Sequence, residues 1–214
     1  MIQNAITLKK DRERLTIYET YLPVIDNIID EIKIKQHDYH NQIMTIAELK
    51  GEYKGYVHDV TKRDIWDQLI LIDNKVLMAF LYSKYKDATE QGLIFDYKIE
   101  SYAFETKYTD YELVEMFGIL IDNAIEAAVK TEKKIIQVTL EYKEGMNCCK
   151  VENSVANFSV QDIPKMFDFY VSKKGEGRGI GLSKLKQLLD KEKGTINVFY
   201  DTQLKLLYVD ICFN

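Results

Sequence analysis

Lys174-Gly175-Glu176-Gly177-Arg178-Gly179-Ile180-Gly181-Leu182 places four of the chain's ten glycines at alternate positions. Glycine reaches positive φ without a Cβ penalty and lets backbone N–H groups approach a ligand closely. The apolar-periodic sequence from about Gly179 to Lys191 predicts a helix. Its first turn would offer unpaired N–H donors and the positive end of the helix dipole. A flexible surface loop also uses glycines. A glycine run opening directly into a helix describes a cradle for phosphates.

Outward from this run, the flanking sequence predicts mixed strands and helices. Leu93–Ile99, Ile135–Tyr142 and Cys148–Asn153 alternate or run apolar like strands. Thr109 or Asp110 caps a predicted helix reaching about Lys130. Asn157–Gly177, with Pro164, is irregular. Gly194–Tyr200 and Lys205–Phe213 form a closing hairpin. This order predicts an α+β fold, with helices on one face of a sheet.

The first third of the chain reads differently. Tyr18, Leu22, Ile25, Ile29, Ile32, Gln36, Tyr39, Ile43 and Ile46 recur at spacings of three and four. That is the seam of a long helix that wants a partner helix. Pro23 is expected to kink or restart it. Polar Gln36 weakens the seam locally. A second helical stretch, from about Thr61 to Gln91, breaks at Asp73-Asn74. The expected organisation is a helical hairpin over 1–91 and an α/β sandwich over 92–214. A fragment starting near Leu93 is then expected to fold as a monomer.

Composition narrows the function. The 214 residues carry a net charge of −5 and a pI of about 5.4. That argues against a general nucleic-acid binder. Cys148, Cys149 and Cys212 lack metal-ligand spacing, and His37, His40 and His58 offer no matching pair. Adjacent Cys148 and Cys149 read as small apolar strand residues in a reducing cytosol. No apolar stretch approaches the roughly 18–20 residues of a membrane span. The chain reads as the soluble end of something longer.

Three further segments carry chemistry. His37-Asp38-Tyr39-His40-Asn41 lies on the long helix, with His37 beside the seam. A neutral imidazole there is a usable nucleophile, and Asp38 can hold its tautomer. Asn41, at i+4, is placed to position a water near His37. Alone, this is more often a solvated helix face. Asn123 sits within Ile119-Leu120-Ile121-Asp122-Asn123-Ala124-Ile125-Glu126-Ala127-Ala128, an apolar helix in which a buried amide needs a partner. Its oxygen suits a hydrated Mg²⁺. Asn153, ending a strand, can bond a base edge, or can serve simply as a turn residue.

In this order the motifs resemble the H, N and G2 boxes of sensor histidine kinases. The resemblance is greatest to the accessory-gene-regulator (AgrC-like) type used in quorum sensing. The matching residues are His37–Asn41, Asp122-Asn123-Ala124-Ile125-Glu126-Ala127 and Ser172–Leu182. The resemblance implies a Bergerat-type ATP-binding sandwich behind a dimerising helical hairpin. It implies that His37 accepts the γ-phosphoryl group of ATP, with Asp38 as acid–base partner and Asn41 serving phosphatase activity. It implies Mg²⁺-ATP contacts from Asn123 and Glu126, with the metal held by Asn123 through the nucleotide. Asn153 falls at the adenine-reading position. Lys174, Gly175, Gly177, Arg178, Gly179, Gly181 and Leu182 match the phosphate-contacting lid and loop.

The implied partners are a second copy, joined through the N-terminal helices, and a response-regulator receiver domain; neither nucleic acid nor membrane is an expected contact. The implied setting is the cytoplasmic part of a membrane-anchored bacterial sensor.

The sequence departs from its look-alikes in three places. Ile119 stands where hydrolytic ATPases of the superfamily carry a glutamate, and isoleucine is no general base. Asn153 replaces an aspartate. The stretch between Asn41 and Asn74 is short for a second hairpin helix. A non-catalytic dimeric scaffold with a vestigial pocket and an anti-sigma-type serine kinase are the alternative readings.

Overall fold

The computed structural model describes residues 9, 11–30, 65–167 and 181–214. A helix over residues 11–30 (α1) is followed by α2 (Ile65–Leu69), α3 (Lys75–Glu90), β1 (Ile94–Ile99) and α4 (Asp110–Ala128). Then come β2 (Ile135–Lys143), β3 (Met146–Ser154), α5 (Gly181–Lys191), β4 (Thr195–Asp201) and β5 (Leu206–Phe213). Short 3₁₀ turns at Val160–Asp162 and Pro164–Phe167 follow β3. The remainder of the expected hairpin lies outside the described residues.

The five strands lie in the order β1-β2-β3-β5-β4. The β1–β2 pair is parallel and the others are antiparallel. Register aligns the apolar residues in rows. Tyr97, Val138, Val151, Val209 and Val198 form one row, and Ile99, Leu140, Cys149, Ile211 and Ile196 the next. A strand's side chains alternate faces, so these rows share one face. Helix α4 packs over β2 and β3, flanked by α3 over β1 and α5 over β4. The β2–β3 turn needs two residues at positive φ, Glu144 at 54° and Gly145 at 81°. That conformation matches strand twist in a two-residue hairpin.

Sequence chemistry fixes the helix ends. Thr109 accepts from the backbone N–H of Glu112, whose carboxylate accepts from the backbone N–H of Thr109: a capping box. Asn74 caps α3 by accepting from the Leu77 N–H at 2.8 Å, and donates to Asp110 at 2.8 Å. The break expected at Asp73-Asn74 is therefore the start of α3.

Three expectations change. First, α3 belongs with the sheet. Its Leu77, Phe80 and Leu81 join the same core as Phe95, Phe117 and Val138. The Tyr97 hydroxyl donates to the Leu81 carbonyl at 2.7 Å. The boundary expected at 91/92 cuts through this core.

Second, the helix does not restart at Pro23 but runs on through that residue. Pro23 is exposed, so the Glu19 carbonyl that loses its donor can turn to water. Third, α1 has a second apolar stripe. Ile17 and Ile28 are buried, and Tyr21 and Val24 pack on the core, with Tyr21 edge-on to Phe80 at 6.0 Å between centroids. The seam residues Leu22 and Ile29 are about half exposed, as is Tyr18.

Candidate functional site

The buried stripe of α4 is Leu113, Met116, Phe117, Leu120, Ile121, Ala124, Ile125 and Ala128. That helical spacing leaves Asp122, Asn123 and Glu126 outside. Asn123 is thus exposed, not a buried amide in an apolar helix as the sequence suggests. The apolar run around it misleads because most of its residues face inward and Asn123 does not.

Helix α5 runs antiparallel to α4. Lys191 Nζ donates to Glu112 at 2.6 Å, Lys184 pairs with Glu115, and Gly181 reaches Ile119 and Asn123. A Cβ on Gly181 would stand 3.3 Å from Ile119 Cγ2 and 3.9 Å from Asn123 Nδ2. The first turn of α5 therefore approaches Asn123 with no side chain between. Ile119 packs against that turn. Leu182, which follows, is buried and anchors the turn to the core.

Asn153 lies within β3, second from its end, in the inward-facing row with Ile136 and Leu207. Its residue is 2% exposed. Its amide nitrogen donates to the Ser154 carbonyl at 3.0 Å. A carbonyl only accepts, so this bond fixes the amide's orientation. It leaves the amide oxygen for another donor.

Ser154 is held in turn. Its Oγ lies 2.7 Å from Thr131 Oγ1 and accepts from the Ile135 N–H at 3.2 Å. Thr131 donates to the Ala128 carbonyl at 2.8 Å, tying the C-terminus of α4 to the end of β3. Asn123 lies five residues before Ala128, about 7.5 Å along the helix axis. Asn123, Gly181 and Asn153 thus gather at one end of the sandwich. Thr131 and Ser154 were not expected from sequence; only a polar pair bracketing two element ends hints at them.

The Lys84 ammonium donates to Asp122 at 2.7 Å, beside Asn123. Among the described residues no three His, Cys, Asp or Glu side chains converge to hold a metal. A hard cation here would therefore rest mainly on ligand oxygens, with Asn123 as a protein contact. That fits Mg²⁺ carried by a polyphosphate. A cavity of about 160 Å³ lies elsewhere, between α1 and the start of α4, lined by Arg14, Ile17, Tyr18, Tyr108 and Tyr111 among others.

His37, Asp38, Asn41, Lys174, Gly175, Gly177, Arg178 and Gly179 lie outside the described residues.

Residues 109–212 match the GHKL domain family. The sensor histidine kinase DcuS of Escherichia coli K12 is 29% identical over 209 residues, covering 92% of this chain and 38% of the relative. A probable C4-dicarboxylate sensor kinase of Bacillus subtilis is 25% identical, covering 91% and 39%. The chain thus spans under two-fifths of these relatives. Among solved structures, the catalytic domain of histidine kinase ThkA superposes with a TM-score of 0.57 at 18% identity, covering 66% of this chain and 91% of that one. The mycobacterial sensor histidine kinase MprB gives 0.53 at 14%, covering 64% and 94%. The sheet and its helix layer have the histidine-kinase catalytic fold.

Proposed function

We propose that this chain, whose residues 109–212 form a GHKL domain of the sensor histidine kinase type, is a kinase module that phosphorylates itself on His37 from Mg²⁺-ATP. The phosphoryl group then passes to an aspartate on a response-regulator receiver domain. The observation that carries the reading is the approach of Gly181 to Asn123, 3.9 Å from an added Cβ to the amide. A helix N-terminus, a bare glycine and a cation-competent amide meet there.

Each residue has a task in this reading. Backbone N–H groups of the α5 first turn bind phosphate oxygens. Asn123 orients the metal-bound triphosphate, with Glu126 on the same face of α4. Mg²⁺ neutralises phosphate charge when bound. The Asn153 oxygen accepts from the adenine amino group. Lys174, Gly175, Gly177, Arg178 and Gly179 complete the phosphate wall. Ile119 supplies packing and no general base, so water is not activated from that position. His37 attacks the γ-phosphorus, Asp38 holds the imidazole tautomer, and Asn41 positions the water that hydrolyses the regulator's phospho-aspartate in a separate phosphatase reaction.

In the same reading two copies pair through the N-terminal helices. The phospho-acceptor unit ends ahead of α2, and the catalytic unit begins there. The accessory-gene-regulator type is our assignment by motif, and a membrane sensor precedes the segment. No helix among the described residues is long and apolar enough to cross a membrane.

Incubation with γ-labelled ATP tests the reading. We expect an acid-labile, base-stable phosphoprotein. Label that persists in His37→Gln would remove His37 from the mechanism. Nucleotide binding without any label would favour a scaffold.

A further inference from the structure

We propose that Cys148 and Cys212 form a reversible redox staple, a dithiol–disulfide pair that sets the stability of the domain in response to the surrounding thiol pool. This reaches beyond the kinase reading and does not depend on it. Cys148 in β3 stands directly opposite Cys212 in β5. The two are joined as a disulfide, with Cα atoms 4.1 Å apart. This corrects the sequence expectation for Cys148, while Cys149 remains the buried strand residue expected. Sequence alone shows Cys148 beside Cys149 and hides the strand register that selects Cys212.

Register also sorts the three cysteines. Cys149 lies on the opposite, helix-covered face, buried and free. Burial there pushes its thiol pKa up, which keeps it from attacking a disulfide. Cys148 and Cys212 share the face away from the helices, and Cys212 is only partly buried. A thiol reagent therefore reaches the pair through Cys212.

The bond's position gives it leverage. It closes a 64-residue separation that contains Asn153, α5 and β4. Linking residues far apart in sequence restricts the unfolded chain more than linking near ones. The stapled end is also an anchor point. Asn147 Nδ2 donates to the Glu105 carbonyl at 2.9 Å, and Phe213 packs edge-on to Tyr108 and Phe117. The Lys107 N–H and Thr106 hydroxyl donate to the Asn214 carbonyl. These contacts join the end of β5 to the stretch leading into α4.

The chemistry balances with a small-molecule disulfide such as oxidised glutathione. The Cys212 thiolate attacks one sulfur, forming a mixed disulfide and releasing one glutathione. Cys148 then attacks the Cys212 sulfur and displaces the second. Two protein thiols are oxidised, one glutathione disulfide is reduced, and the two protons pass to the released thiolates. Excess thiol reverses both steps.

The test equilibrates the whole chain in glutathione buffers from fully reduced to fully oxidised. Alkylation and peptide mapping report the link, and thermal unfolding reports its consequence. We expect an intramolecular Cys148–Cys212 link, a Tm at least about 5 °C higher when oxidised, and full reversal by dithiothreitol. Cys149→Ser should keep the response and Cys212→Ser should lose it. Three free thiols throughout the buffer series would overturn the proposal. So would a link involving Cys149, or a Tm indifferent to the link. Mapping and melting of the unsubstituted chain decide the matter even if a variant fails to fold.

Discussion

Asn153 shows how a buried polar residue acquires a direction. It sits in an otherwise apolar row of the sheet, where an amide without partners would be costly. The Ser154 carbonyl takes its nitrogen and leaves its oxygen as the reading end. An aspartate is acceptor-only and supplies the same oxygen. We therefore expect Asn153→Asp to bind ATP within about threefold of the parent. Asn153→Leu, similar in volume but without an acceptor, should weaken binding about tenfold or more, the effect of roughly 1.4 kcal/mol. Calorimetric titration with a non-hydrolysable analogue measures both, and equal affinities for Leu and Asn would remove Asn153 from the base contact. Gly181 is the second such residue. Valine there would press on Ile119 and screen Asn123, so Gly181→Val should lower phosphoryl transfer at least tenfold while circular dichroism stays unchanged. Both residues were visible in the sequence as candidates. The exposure of Asn123 was not, because a run of apolar letters does not say which side of the helix each one occupies.

Helix ends and faces decide what each element contributes. Burial pushes the Glu112 carboxyl pKa up, but donors from Lys191 and Thr109 outweigh it and hold the value below the ordinary 4.5. A lowered folded pKa means that this group's stabilisation is present above 4.5. It is lost as the pH falls through the folded value. Glu112→Gln should therefore cost about 1 kcal/mol at neutral pH and much less in acid. Urea unfolding at several pH values checks the sign; a cost that grows as pH falls would contradict it. Thr109 was legible as a cap because a hydroxyl followed three residues later by a carboxylate is a local pattern. The inner stripe of α1 was not legible. A seam at spacings of three and four was already accounted for by Tyr18, Leu22, Ile25 and Ile29, and Ile17, Tyr21, Val24 and Ile28 repeat the same spacings one register away. Only the position of Phe80, far along the chain, tells the two apart.

At the scale of the whole molecule, one core ties α3 to the sheet. A fragment over residues 65–214 should fold cooperatively and bind nucleotide. One starting at Leu93 leaves Phe95 and Tyr97 without Tyr85 and Leu81 of α3 and should not. Removing several fully buried side chains costs about 2–5 kcal/mol each, more together than a typical domain's total stability. A sharp thermal transition in the shorter fragment would contradict this. The strand positions and the helix-on-sheet layering were readable from alternation and turn chemistry; the order β1-β2-β3-β5-β4 was not. The boundary was not, since an amphipathic helix looks the same in sequence whether it packs on another helix or on a sheet. The two stripes of α1 carry a mechanical consequence. They lie one residue apart, hence about 100° apart around the helix axis. The inner one is meshed with Phe80 of α3, while Tyr18, Leu22 and Ile29 of the outer one are exposed. Helix α1 is therefore built like a camshaft: a rotation that turns the outer ridge also moves the inner one against Phe80.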